Sequence, residues 1–417
     1  MSDEERKSSP EDEQSSSESS SDSSEDEHEE KKDEEEKPEP EPEKEESAEP
    51  EEDHDKPKEE HGDGGGDKHK VEDIDEGISK MMKYGTAEVF KGTIYPREDF
   101  SAESAAETLE NAMSGLGTDE QPIIDVASNI SNSQRQEVVK VYKTMFGKDL
   151  IEELLSELTG NFEEAILALF QPRTYYDAWT LNKAMSGPGT KDMVLIELLC
   201  TRSNAEIQEI CECYEKHFEK TLEQDILDDT SGYFKRLLVS CLQANRDELT
   251  EEEMERVLSE GPGCVIDEGK AKEEAEKLYQ AGEGKIGTEE DTFLQIMSLR
   301  HFYQLRATFD AYKEVSGKDI LEAVIGEFTG DEEDGFKAVV MCARNRPEYF
   351  ADRLYNSMKG AGTDDSTLIR VIVSRSEIDL QNVKEVFEKK YGKTLLSFVE
   401  DDTSGDYKRL LASIVGS

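Results

Sequence analysis

From about residue 93 onward, apolar residues recur every three or four positions with polar residues between them, the period of helices that bury one face. Leu368, Ile369, Val371 and Ile372 form such a face after Thr363; Val383, Val386 and Phe387 form another before Gly392; Leu410, Leu411 and Ile414 follow Ser404. Gly, Pro, Ser and Thr separate the segments, and strand alternation is nearly absent, so the fold class is all-α. The spacing predicts about five helices in a unit of roughly 70 to 75 residues. Gly147, Gly317 and Gly392 stand where left-handed C-caps are needed. Thr118, Thr190, Thr288 and Thr363 are expected as helix N-caps, with Gln121 completing a capping box to Thr118.

A Gly-rich turn marks each unit. Met113-Ser114-Gly115-Leu116-Gly117-Thr118-Asp119 recurs as Met185-Ser186-Gly187-Pro188-Gly189-Thr190 and as Met358-Lys359-Gly360-Ala361-Gly362-Thr363-Asp364. A longer version runs Ala281-Gly282-Glu283-Gly284-Lys285-Ile286-Gly287-Thr288. An acid always follows the last glycine by 40 residues: Glu157, Asp229, Glu327 and Asp402, each leading into Xaa-Ser-Gly or Xaa-Thr-Gly. The eleven residues from Asp228 and the eleven from Asp401 differ at two positions only. One such turn is more often a plain helix connection; four with coupled acids are a repeated device. The closing glycines lie 72, 98 and 75 residues apart, so a connection with an acidic helix (Glu251 to Leu258) and Gly261-Pro262-Gly263 divides the repeats two and two.

Composition changes the picture at the N-terminal end. Residues 1 to 70 hold 31 Asp and Glu against 10 Lys and Arg with scarcely an aliphatic residue, too little apolar surface to offset chain entropy, and read as a disordered tail. The rest keeps 69 acids against 39 bases, a net charge of -30. That charge opposes nucleic acid as a partner and opposes direct attachment to anionic lipid, unless a cation bridges the two. No apolar run reaches the roughly 20 residues of a membrane span and no signal-peptide core is present, which predicts a cytoplasmic protein. Cys200, Cys211, Cys213, Cys241, Cys264 and Cys342 lack paired ligand spacing and read as reduced thiols, with Cys211-Glu212-Cys213 a weak metal or redox alternative.

Two glycines let a turn aim successive carbonyl oxygens at one point, and carbonyls with one carboxylate are the hard oxygen ligands that calcium takes, about six to eight in all. Met358, Gly360 and Gly362 with Asp402 would supply part of that shell and leave positions for water or a lipid phosphate.

This combination resembles the annexin family over nearly all of residues 93 to 417. The resemblance implies four all-helical repeats in a curved disc whose convex face binds anionic phospholipid through Ca2+. It implies as ligands Met113, Gly115, Gly117 and Glu157; Met185, Gly187, Gly189 and Asp229; Gly282, Lys285, Gly287 and Glu327; and Met358, Gly360, Gly362 and Asp402, all but the acids acting through carbonyls. The repeats then occupy 93–171, 172–247, 273–346 and 347–417, with an extended connection over 248–272, a linker over 71–92 and the tail over 1–70. A non-enzymatic protein is expected, a monomer in solution that can assemble on membranes, peripheral on the cytosolic face of plasma or vesicle membranes, with non-classical export open to it. The acidic tail and the central connection are both longer than is usual in the family, and the extended connection resembles that of some invertebrate members.

Departures matter too. Pro188 and Lys191, which replaces the acid after Thr190, predict a distorted or weaker second turn. Ile130 stands where the other repeats have Arg202, Arg300 and Arg375, removing an internal polar contact. Asp177, Glu197, Arg202 and Arg370 match a polar centre between modules in the family, although interhelical ion pairs explain them as well. Leu116 and Ile286 at the turn tips read equally as acyl-boundary contacts or ordinary exposed residues. Trp179 falls on an apolar stripe and reads as core, and Asp331 to Gly335 is too short for an EF-hand loop. A rival reading is an interaction scaffold whose acidic tail, with Ser16, Ser17 and Ser21 as kinase sites, or whose long connection recruits a protein partner. No nucleophile elbow, His-Glu-Xaa-Xaa-His or phosphate-cradling loop supports an enzyme.

Overall fold

The computed structural model describes residues 88 to 416; the expected tail, its serines and most of the 71–92 linker lie outside the described residues. Within them are twenty α-helices, one short 3-10 helix and no strand. The first repeat comprises α1 (Ala102–Met113), α2 (Glu120–Asn129), α3 (Asn132–Phe146), α4 (Leu150–Glu157) and α5 (Gly160–Phe170). Ser101 caps α1 by accepting from the Ser104 N–H, Ser131 and Gln134 form a full capping box on α3, and Asp149 caps α4. Leu109, Ile123, Val138, Leu154 and Ile166, one or more from each helix, are buried in the shared core. That is the face the 3.6-residue pattern marked.

The second repeat repeats this order with α6 (Arg173–Met185), α7 (Asp192–Leu199), α8 (Asn204–Phe218), α9 (Leu222–Asp229) and α10 (Gly232–Leu242). The long connection follows. It is ordered: α11 (Glu251–Glu260) opens with a Thr250–Glu253 capping box, a 3-10 turn spans Pro262–Val265, and Leu249, Met254 and Val257 close on Tyr303 in a small cluster of their own.

The third repeat has α12 (Glu268–Ala281), α13 (Glu290–Leu299), α14 (Phe302–Ser316), α15 (Ile320–Glu327) and the first arm of α16 (Asp331–Met358). α16 breaks at Asn345 (φ -160°, ψ 92°), just before Pro347, which cannot donate to the helix ladder. Asn345 Oδ1 then accepts from the Glu348 N–H and starts the second arm, the first helix of the fourth repeat. α17 (Asp365–Arg375), α18 (Leu380–Tyr391), α19 (Leu395–Asp402) and α20 (Gly405–Val415) complete it.

Packing pairs the repeats differently from their order. α17 and α20 of the fourth repeat lie on α2 and α5 of the first, and α10 of the second lies on α13 and α16 of the third. The sequence connection divides first-and-second from third-and-fourth, but the burial surfaces join first to fourth and second to third. Before α1, the segment at residues 91 to 94 straps the fourth repeat: Thr93 and Ile94 N–H donate to Ser376 O, Gln381 N–H donates to Lys91 O, and Lys91 N–H to Asn382 Oδ1. Gly92 is required there, since a Cβ would stand 2.6 Å from Ser376 O. Trp179, expected in the core, is instead 37% exposed.

Candidate metal-binding turns

In the fourth turn Gly360 and Gly362 adopt φ of 108° and 103°, which L side chains rarely accept, and the Asp364 N–H closes the loop on Ser357 O at 2.8 Å. Thr363 Oγ1 donates to Asp402 Oδ2 at 2.5 Å. The first turn has the same form: Gly115 and Gly117 at 120° and 87°, Asp119 N–H on Ala112 O, and Thr118 Oγ1 on Glu157 Oε2 at 2.7 Å. So has the second, with 120° and 84° at Gly187 and Gly189, Lys191 N–H on Ala184 O, and Thr190 Oγ1 on Asp229 Oδ2 at 2.6 Å. Pro188 therefore does not distort the backbone as expected; its fixed φ fits a residue between two positive-φ glycines.

The third turn carries one more residue. Glu289 N–H closes on Ala281 O, Gly287 keeps φ 87°, and Thr288 Oγ1 donates to Glu327 Oε2 at 2.5 Å. A Cβ on Gly282 would lie 3.3 Å from the Glu327 carboxyl carbon, so glycine lets the chain close over the acid. Here the Gly282 carbonyl also accepts from the Lys285 N–H at 3.0 Å. Among the described residues, no backbone N–H outside the helices donates to the carbonyls of Met113, Gly115, Gly117, Met185, Gly187, Gly189, Lys285, Gly287, Met358, Gly360 or Gly362.

The threonines correct one expectation. α2, α7, α13 and α17 begin after Asp119, Lys191, Glu289 and Asp364, one residue later than a threonine cap requires. Gln121 makes no capping box; its amide donates to Asp125. The threonine hydroxyl goes to the distant carboxylate because a bond to a charged acceptor is stronger than one to a neutral backbone group. The signal was a threonine in every turn, always 39 residues before its acid.

Among the described residues, no group of three or more His, Cys, Asp or Glu side chains is placed to hold a metal ion. A cation in these turns would rest on carbonyl oxygens and one carboxylate, a hard donor set that suits calcium and lacks the nitrogen and sulfur ligands of zinc. The residues present fit that ion. Clefts lie beside three of the turns: Glu157 and Ser404 line one, Thr190, Asp229 and Gly330 a second, and Lys191, Leu155 and Ser366 a third. Leu116 and Ile286 are fully exposed at the tips.

The polar centre is a set of ion pairs. Arg202 Nε donates to Asp177 at 2.8 Å, and the fully buried Glu197 accepts from Arg370 at 2.8 Å and Arg353 at 3.0 Å. Burial alone would raise the Glu197 carboxyl, but Arg370 and then Arg353 outweigh it and hold the group at about 2. Arg353, the second cation on Glu197, carries no local signal in the sequence that marks it for this pair.

The comparisons with known proteins agree with this geometry. The annexin family model matches four segments, residues 104–169, 176–241, 273–339 and 349–414. The chain is 54% identical over 329 residues to Annexin A7 of Homo sapiens, covering 79% of this chain and 64% of that protein. Among solved structures, annexin III superposes with a TM-score of 0.74 at 41% identity, covering 78% of this chain and 97% of that one. A calcium-bound annexin (Sm)1 superposes at 0.72 with 34% identity, covering 79% and 94%. Four repeats, each closing a glycine turn on its own acid, make the chain a member of the annexin family, a family known for calcium-dependent phospholipid binding. It spans about two thirds of the length of the Annexin A7 proteins it matches.

Proposed function

We propose that this protein attaches to anionic phospholipid membranes through calcium held in the four turns, by Met113, Gly115, Gly117 and Glu157; Met185, Gly187, Gly189 and Asp229; Gly282, Lys285, Gly287 and Glu327; and Met358, Gly360, Gly362 and Asp402. The observation that carries the reading is the recurrence of open carbonyls beside a threonine-anchored carboxylate in every repeat. Bound there, calcium would supply the positive charge that an acidic face needs next to lipid phosphate. The glycines direct the carbonyls, the threonine hydroxyl fixes one carboxylate oxygen so that the acid is in place beforehand, and Leu116 and Ile286 meet the acyl boundary. The same chemistry describes a membrane organiser on the cytosolic face rather than an enzyme.

Changing Glu157, Asp229, Glu327 and Asp402 together to Ala should leave the helical fold intact and abolish calcium-dependent co-sedimentation with phosphatidylserine vesicles. Undiminished sedimentation of that variant, reversed by chelator as in the parent, would sink the proposal.

A further inference from the structure

Trp179 is the single tryptophan of the chain, and it forms part of the wall of a cavity of about 390 Å³ where the first, second and fourth repeats meet. Ile151 and Leu155 of α4, Leu167 of α5, Val194 of α7 and Ile369 of α17 supply most of the remaining apolar lining. A space of this size lies toward the small end of ligand pockets, roughly 300 to 1,000 Å³. It has room for one hydrocarbon chain, not the two of a phospholipid.

One polar feature stands out. Lys191 lines the cavity and is exposed, and it is the residue that replaces the acid found after the threonine in the other turns. The other lining cations are engaged: Lys183 Nζ is 3.8 Å from Glu164, and Arg370 is bonded to Glu197. Glu163 stands on the α5 wall, which leaves the Lys191 corner for an anionic group.

Three of the lining residues are close to the turns in sequence. Lys191 is two residues past Gly189, Leu155 two before Glu157, and Ser366 three past Thr363. We propose that this cavity binds one long-chain fatty acid without calcium, its chain against Trp179, Leu155 and Ile369 and its carboxylate on Lys191. Occupancy would fill the junction of three repeats.

Trp179 reports on the site directly. The full chain in chelator is titrated with 12-doxylstearate below its micelle concentration while the tryptophan fluorescence is read. Saturable quenching at one equivalent is expected, with Lys191→Asp and the methyl ester of the same probe each binding about fivefold more weakly, as expected for one lost or reversed surface charge contact. Quenching that rises without saturation, or is equal for acid, ester and Lys191→Asp, overturns the proposal. Calcium is absent throughout, so this outcome is independent of the calcium-dependent attachment proposed above.

Discussion

The four turns and the four ends of the second helices occupy equivalent places in each repeat, yet one set is nearly uniform and the other is different every time. Every turn has a threonine hydroxyl 2.5 to 2.7 Å from a carboxylate. At the helix ends, Ile130 is buried in the first repeat, with Ala105 at the sequence position that Asp177 holds in the second; Arg202 pairs with Asp177 in the second, and Arg300 pairs with Glu274 in the third. In the fourth, Arg375 pairs with Asp379 and lies 4.4 Å over the Phe350 ring, which takes the place of the acid. An interior position accepts an apolar pair or an ionic one so long as no buried charge is left alone. A turn that must direct oxygens outward has no such choice of solutions. The uniform set therefore serves something outside the fold, and the variable set serves packing between unlike neighbours.

The largest effect is expected where an interior charge loses its partner. Glu197→Gln leaves Arg370 and Arg353 buried without a carboxylate and should cost about 3 to 5 kcal/mol in urea unfolding. Its pH dependence has a fixed sign. The folded value of about 2 lies below the ordinary value near 4.3, so the stabilisation is present above about pH 5 and is lost as pH falls toward 2. Glu197→Gln should flatten that acid limb while leaving calcium-dependent sedimentation of the remaining folded protein unchanged. If lipid attachment disappears at temperatures where the variant is fully folded, the separation between interior and turn fails.

A milder test transplants one helix end into another. Ile130→Arg alone buries an unpaired guanidinium, whereas Ile130→Arg with Ala105→Asp rebuilds the pair of the second repeat. The double variant should be less destabilised than the sum of the single changes by about 1 kcal/mol or more. Strict additivity in denaturation midpoints would mean the two positions do not meet as Asp177 and Arg202 do. At the turns, Thr363→Val removes the anchor from Asp402 without altering the glycines. It should cost only about 1 kcal/mol in stability yet raise the calcium needed for half-sedimentation several-fold. An unchanged calcium requirement would reduce the threonine to a spacer.

The repeats were legible in the sequence because their signals are local or strictly spaced. Gly147, Gly317 and Gly392 do cap their helices at φ 69°, 76° and 72°, and the 40-residue step from glycine to acid is the step that closes each turn. The direction of the threonine hydroxyl was not legible, since cap and carboxylate compete for the same group and only the fold brings the carboxylate near. Nor was the pairing of first with fourth repeat, which depends on which apolar faces meet after the helices form. Trp179 obeyed the helical period and still became a cavity wall, because Leu155 and Ile369, its neighbours there, come from other repeats.

The smallest effect, and the sharpest for the comparison, lies at Lys191. The second turn reproduces the backbone of the first, with φ of 120° and 84° against 120° and 87°, so any weakness it has must come from charge and not from shape. Lys191→Asp restores the acid of the other turns and reverses one charge beside Gly189. At a distance near one Debye length, that reversal is worth only about 0.5 to 1 kcal/mol toward a divalent ion, or about a two- to fivefold lower calcium requirement at physiological salt. Isothermal titration of the parent and variant, at low and at high salt, should show the difference shrinking as salt rises. A difference that persists at high salt would instead mean that the new carboxylate contacts the ion, and that the second turn, unlike the other three, had been short of a ligand.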